Sequence, residues 1–153
     1  MIQSSATDAP RARSGPGSFL FVTGGARSGK SRFAQQQALQ WSDSPVYVAT
    51  ARAWDDNFRE RIKRHQQDRD ERWTALEEEK FISRLSLDNK VVVIDCITLW
   101  LTNFFVDHKN NIDQCLAACK EEIDAWQKMN AAFIIVSNEI GMGVHAETEI
   151  GRR

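Results

Sequence analysis

The apolar run Phe19-Leu20-Phe21-Val22 leads straight into "TGGARSGKSRF" (23–33), which from Gly24 reads G-x-x-x-x-G-K-S. A strand, a glycine-rich turn and a helix opening near Lys30 leave few folds open. Gly24, Gly25 and Gly29 permit backbone angles closed to other residues, so successive N–H groups can converge on one phosphate. The helix N-terminus adds about half a positive charge beside those donors. In this pattern Ala26, Arg27 and Ser28 fill the turn, Lys30 reaches the β and γ phosphates, and the Ser31 hydroxyl takes a place on Mg²⁺. The alternative, a tight glycine-rich turn with no ligand, needs both Lys30 and Ser31 in register by coincidence. The loop reads as nucleotide-binding.

Apolar runs recur behind it. "PVYVAT" (45–50), "KVVVIDC" (90–96) and "AAFIIVS" (131–137) read as buried strands. Between them, Trp54 to about Arg69 reads as a charged helix, "KFISRLSL" as a short helix and "TLWLTNFF" as a buried one. The segment 112–130 reads as an amphipathic helix with Leu116, Cys119, Ile123 and Trp126 on one face, and the first helix turns Phe33, Ala34, Ala38 and Trp41 inward. Buried strands separated by helices imply an α/β fold, a mainly parallel sheet with helices on both faces. Asp95 then closes a strand after four apolar residues, as does a carboxylate that helps hold Mg²⁺, although many strands end in Asp. Thr50, Asp95 and Asn138 fall along the same sheet edge as the phosphate loop, in one crevice.

The 153 residues suit one domain, residues 18–153, behind a tail (1–17) rich in Ser, Pro, Gly and Arg that reads as disordered. Twenty basic against 21 acidic side chains, net charge −1, argue against a general nucleic-acid-coating surface. No apolar stretch approaches the roughly 20 residues of a membrane span. Three cysteines and no signal peptide imply reduced thiols in the cytoplasm. Cys115 and Cys119 share a helix face, where they either pack in a core or join His108 around a metal.

In "WDDNFRERIKRHQQDRDERW", Trp54, Phe58, Ile62 and His65 form one stripe, with Arg61 and Arg69 a turn either side of His65. Two guanidiniums would lower the imidazole pKa and hold phosphate oxygens, which suits a neutral nucleophile attacking phosphorus. A packed or capping histidine explains the same stripe. On the residues alone both readings stay open.

Together "FVTGGARSGKSRFA", "YVATA", "DDNFRERIKRHQQDRDERW", "VVVIDCITLWLTNFF" and "VSNEIGMGV" resemble the bifunctional adenosylcobinamide kinase / adenosylcobinamide-phosphate guanylyltransferase family of cobalamin biosynthesis, in order from Phe19 to about Arg153. The resemblance implies a P-loop, RecA-like fold and an enzyme that phosphorylates adenosylcobinamide with ATP or GTP. Such an enzyme then passes GMP from GTP, through a guanylyl-histidine, to the new phosphate. It implies that Gly24 to Ser31 hold phosphates and that Thr50, Ala51 and Arg52 lie against the nucleotide. By the same resemblance His65 would take the guanylyl group, Gln66, Gln67, Asp68 and Arg69 would line the nucleotide site, Glu77 would be a nucleotide-contacting acid, and Asp95 stands where the family has Asp or Glu. It also implies a homo-oligomer, often a trimer. After "NEIGMGV" the family continues Val-Pro-Glu-Asn where this chain has "HAETEIGRR", and it runs on through a helix to a last strand beyond the position of Arg153.

The corrin ring, a large flat ligand, has aromatic candidates in Trp54, Trp73, Trp100 and Phe105, most of them better suited to a core.

Overall fold

The computed structural model describes residues 17–25, 27–52, 56, 59–60, 63, 67 and 69–138. Five strands form one sheet: β1 (Phe19–Gly24), β2 (Val46–Ala49), β3 (Thr74–Glu77), β4 (Val91–Asp95) and β5 (Ala132–Asn138). Their order is β1-β5-β4-β2-β3 and every pair is parallel. Parallel neighbours need long crossovers: α1 (Lys30–Trp41) leads from β1 to β2, and α2 (Ile97–Asp107) and α3 (Ile112–Lys128) lead from β4 to β5.

Side chains alternate across the sheet, and each face finds its own helices. Val46, Val48, Val92, Ile94, Phe133 and Ile135 pack with Trp100, Phe104, Cys115, Cys119 and Trp126 of α2 and α3. Tyr47, Val91, Val93, Ile134 and Val136 turn the other way, onto Ala34 and Ala38 of α1. The two small residues, both fully buried, let α1 approach the sheet closely. Trp100 lies 5.0 Å from Trp126, which stacks on Phe133 at 5.9 Å. Truncating such a tryptophan costs about 3–5 kcal/mol. Helices on both faces of a parallel sheet are the arrangement the apolar runs imply.

Four local readings change. Phe33 does not face inward; it is 49% exposed, one residue and so about 100° round the helix from Ala34. Leu116 is likewise exposed, because α3 buries Cys115, Cys119, Glu122 and Trp126 instead. The stretch 80–87 forms only a 3-10 turn, Ile82–Arg84. There the Glu78 carboxylate accepts from the Lys80 and Phe81 N–H groups and diverts two donors from a longer helix. Finally, Thr74–Glu77 is an edge strand that hydrophobic patterning does not mark, being mostly exposed.

Glu122 meets three donors inside the α3 packing: Ser83 N–H at 3.1 Å, the Ser83 hydroxyl at 2.5 Å and Trp126 Nε1–H at 3.0 Å. Cys115 and Cys119 are buried beside it, and burial pushes the Cys119 thiol up to about 12. Trp100 is wholly buried, and Trp73 and Phe105 pack against the core; Trp54 lies outside the described residues. No helix among the described residues is long and apolar enough to cross a membrane.

Candidate nucleotide site

Residue pairing across the sheet sets the order of groups along its carboxyl edge. Gly24 of β1 stands opposite Asn138 of β5, Asp95 of β4 opposite Ala49 of β2, and Ala49 opposite Glu77 of β3. Strands are spaced about 4.8 Å apart. Gly24 and Glu77, four strands apart, therefore lie on the order of 19 Å from each other and would meet opposite ends of any one ligand.

The loop after β1 is shaped by two glycines. A Cβ on Gly24 would sit 2.5 Å from Ser28 Oγ and 3.4 Å from its Cβ, so a side chain here would make the serine hydroxyl turn away. Gly29 caps α1 in the left-handed region at φ 84°, and its carbonyl accepts the Phe33 N–H at 3.0 Å. Arg27 is also left-handed, at φ 59°. Lys30 Nζ bonds the Gly25 carbonyl at 3.0 Å, folding its charge back over the turn, and Ser31 follows in the first turn of α1. A groove of about 510 Å³ opens here, lined by Phe21 to Gly24 of β1, by Ser28 and Gly29, and by Lys30 and Phe33 of α1. Ala26 lies outside the described residues.

At the end of β4, Asp95 Oδ2 accepts the Tyr47 hydroxyl proton at 2.6 Å. Arg69 stacks over the ring of that tyrosine, its guanidinium carbon 3.6 Å from the centroid. Ser31 and Asp95 offer a hydroxyl and a carboxylate, hard oxygen donors of the kind Mg²⁺ takes one or two of, completing its shell with phosphate oxygens and water. That donor set fits the ion. No cluster of three or more His, Cys, Asp or Glu occurs among the described residues, so the ion would depend on a nucleotide for its remaining ligands.

Thr50 is wholly buried. Its hydroxyl donates to the Cys96 carbonyl at 2.7 Å and accepts the Cys96 N–H at 3.0 Å, while its carbonyl accepts from Asn103 Nδ2 at 2.8 Å. Arg52, two residues on, donates to Glu79 at 2.8 Å and pairs with both Asp107 oxygens at 2.9 and 3.0 Å. Lys80 joins the same carboxylate at 2.6 Å. These cations hold the Asp107 carboxyl well below the usual range, and the two carboxylates raise the Arg52 guanidinium. Asn138 donates from its side chain to Cys96 Sγ at 3.7 Å.

The structure thus brings Gly24, Gly25, Arg27, Ser28, Gly29, Lys30, Ser31, Thr50, Ala51, Arg52, Arg69, Glu77 and Asp95 to the carboxyl edge of the sheet or the segments that follow it. Gln67 is helical and exposed. His65, Gln66 and Asp68 lie outside the described residues, as does Arg61. Sequence reasoning missed Tyr47, Asn103 and the carboxylates around Arg52. Only Tyr47 left a signal, since a tyrosine in an otherwise aliphatic buried strand must find a partner for its hydroxyl.

A glycine-rich loop joining β1 to α1, with a strand-end carboxylate on the same edge, defines a P-loop α/β nucleotide-binding protein. The family described as cobinamide kinase / cobinamide phosphate guanyltransferase matches residues 20–153, and this chain belongs to it. The bifunctional adenosylcobalamin biosynthesis protein CobU of Escherichia coli K12 is 36% identical over 149 residues, covering 87% of this chain and 81% of that protein. The corresponding CobP of Pseudomonas aeruginosa is 35% identical over 140 residues, covering 86% and 78%. CobU of Salmonella typhimurium is 33% identical, covering 87% and 81%. Among solved structures, the flagellar accessory protein FlaH from Methanocaldococcus jannaschii is a loose likeness: TM-score 0.42, 16% identity, 81% of this chain and 62% of that one.

Proposed function

We propose that this protein phosphorylates adenosylcobinamide with ATP or GTP. It then transfers GMP from GTP to adenosylcobinamide phosphate, giving adenosyl-GDP-cobinamide and pyrophosphate. The observation that supports this most is the phosphate loop, with Lys30 and Ser31 opening α1 on the same edge as Asp95, in a chain of this family.

In the first reaction the loop N–H groups and Lys30 neutralise the triphosphate, Lys30 exchanging the Gly25 carbonyl for phosphate oxygens. Mg²⁺, held by Ser31 and Asp95, would supply further charge neutralisation to the phosphates when bound. Arg69 presents its guanidinium to the phosphates from the Tyr47 side. Ala51 and Arg52 meet the nucleotide through the main chain, because the Arg52 guanidinium is engaged elsewhere, while Thr50, wholly buried with its hydroxyl, N–H and carbonyl all engaged, anchors that segment from behind. Glu77, at the far end of the edge, contacts the nucleotide away from its phosphates, and Gln66, Gln67 and Asp68 complete the wall.

In the second reaction a neutral His65 imidazole nitrogen attacks the α-phosphorus of GTP, and the bond to the β-phosphate oxygen breaks to release pyrophosphate. An oxygen of the cobinamide phosphate then attacks the same phosphorus, the P–N bond breaks and the histidine is restored. One difficult displacement becomes two. The protein works in the cytoplasm as a homo-oligomer, a trimer on the family's pattern.

Intact mass after incubation with GTP tests the covalent step. A GMP-sized increment, lost in mild acid and absent from His65→Ala, is expected. A GMP-sized increment that persists in His65→Ala overturns the assignment. If γ-label reaches cobinamide but α-label never reaches the protein, the enzyme is a kinase without a covalent step.

A further inference from the structure

Tyr47 meets one charged group with its hydroxyl and another with its ring face. It is nearly buried in β2, and Trp73 packs edge-on against its ring at 6.2 Å and 82°, which leaves the ring little freedom to turn. Its hydroxyl donates to Asp95 Oδ2, at 2.6 Å. Across the ring face sits Arg69, 3.6 Å from the centroid. Its Nε and Nη1 are buried and have no hydrogen-bond partner among the described residues.

Buried guanidinium donors without acceptors are rare, because each forfeits its hydration with nothing in return. They are retained where a ligand supplies the acceptor. A phosphate is such an acceptor, and a guanidinium offers it a planar fork. The ring, by stacking, sets the height and tilt of that fork without consuming any of its N–H groups. The hydroxyl, meanwhile, occupies one oxygen of Asp95 and fixes the rotation of the carboxylate.

We infer that Tyr47 is a positioning residue that sets the metal-side carboxylate of Asp95 and the anion-side guanidinium of Arg69 against the phosphates of one nucleotide. The inference rests on the nucleotide-site reading above. It divides the side chain into two separable parts: the hydroxyl governs the response to Mg²⁺, and the ring governs affinity for the phosphates themselves.

The test is direct binding of a fluorescent GTP analogue, once in EDTA and once across a Mg²⁺ titration, with thermal melting of every variant. Tyr47→Phe keeps the ring and removes the hydroxyl. It is expected to bind in EDTA like the parent but to need several-fold more Mg²⁺ for half-maximal tightening. Arg69→Met is expected to show the converse, weaker binding in EDTA with the parent's Mg²⁺ midpoint. Tyr47→Leu should show both defects. If Tyr47→Leu does not fold, the first two variants still decide. A Tyr47→Phe protein with the parent's Mg²⁺ midpoint overturns the inference, the phenol then being only a satisfied core hydroxyl. Loss of EDTA affinity in Tyr47→Phe equal to that in Arg69→Met also overturns it, because the two ends would not be separable. A parent protein that binds no nucleotide overturns the site reading and this inference with it.

Discussion

The Thr50 hydroxyl and the Cys96 main chain clasp one another, Oγ1 donating to the carbonyl at 2.7 Å and accepting from the N–H at 3.0 Å. One side chain thereby bolts the carboxyl end of β2 to that of β4, next to Asp95. Thr50→Val keeps the shape and strands both Cys96 groups in a buried place. A loss of about 1–3 kcal/mol in stability is expected, read as a lower urea midpoint at unchanged slope, while Thr50→Ser stays close to the parent. Equal midpoints for Val and Ser would show that the hydroxyl carries no such weight.

Among the described residues Lys30 bonds a neutral carbonyl, Gly25 O, so its charge is available to a ligand at little conformational cost. Lys30→Ala is expected to weaken Mg-nucleotide binding by about 10- to 150-fold, the equivalent of roughly 1.5–3 kcal/mol for a charge-assisted contact. Calorimetric titration measures it. Its melting temperature should barely move, and an unchanged dissociation constant would place the nucleotide elsewhere.

A methyl group on Gly24 would lie 2.5 Å from Ser28 Oγ, so either the serine hydroxyl turns away or the loop shifts to admit it. Gly24→Ala is therefore expected to disturb the loop and weaken nucleotide binding. Ser28→Ala in the same chain removes the offending oxygen, leaving a Cβ contact of 3.4 Å, and should restore part of the affinity. A double variant no better than Gly24→Ala would mean that the glycine serves the ligand directly rather than the turn.

Asp107 sits between Arg52 and Lys80, and those hydrogen bonds lower its pKa in the folded state. A depressed carboxylate pKa contributes stability that is present above the unfolded value, about 4. The contribution is lost as pH falls through the folded value. Asp107→Asn should thus be less stable than the parent at pH 7, with the gap closing below about pH 4. Urea midpoints at several pH values would show it, and a gap independent of pH would assign the effect to packing.

The places of Asp95, Lys30 and the loop glycines in the fold were legible because they follow from local order: apolar strands that end at the sheet edge, and a turn and helix directly behind the first of them. The parallel α/β sheet was legible for a similar reason, since continuous apolar runs can be satisfied only by burial on both faces. The apolar stripes of α1 and α3 were read one step off, at Phe33 and Leu116. Periodicity marks a helix as amphipathic but does not say which neighbour its face will meet. Thr74–Glu77 went unmarked because an exposed edge strand is held by main-chain bonds, which carry no side-chain pattern. Tyr47, Arg69 and Asp95 are separated by 22 and 26 residues in the chain. Their meeting depends on β2 pairing with β4 in the register that sets Ala49 opposite Asp95, and on the chain returning over the ring of Tyr47. The sequence alone determined a phosphate loop on a parallel sheet, through local geometry and burial. Only the tertiary structure decided which side chains stand around that loop, because contacts between distant residues follow from strand register and packing.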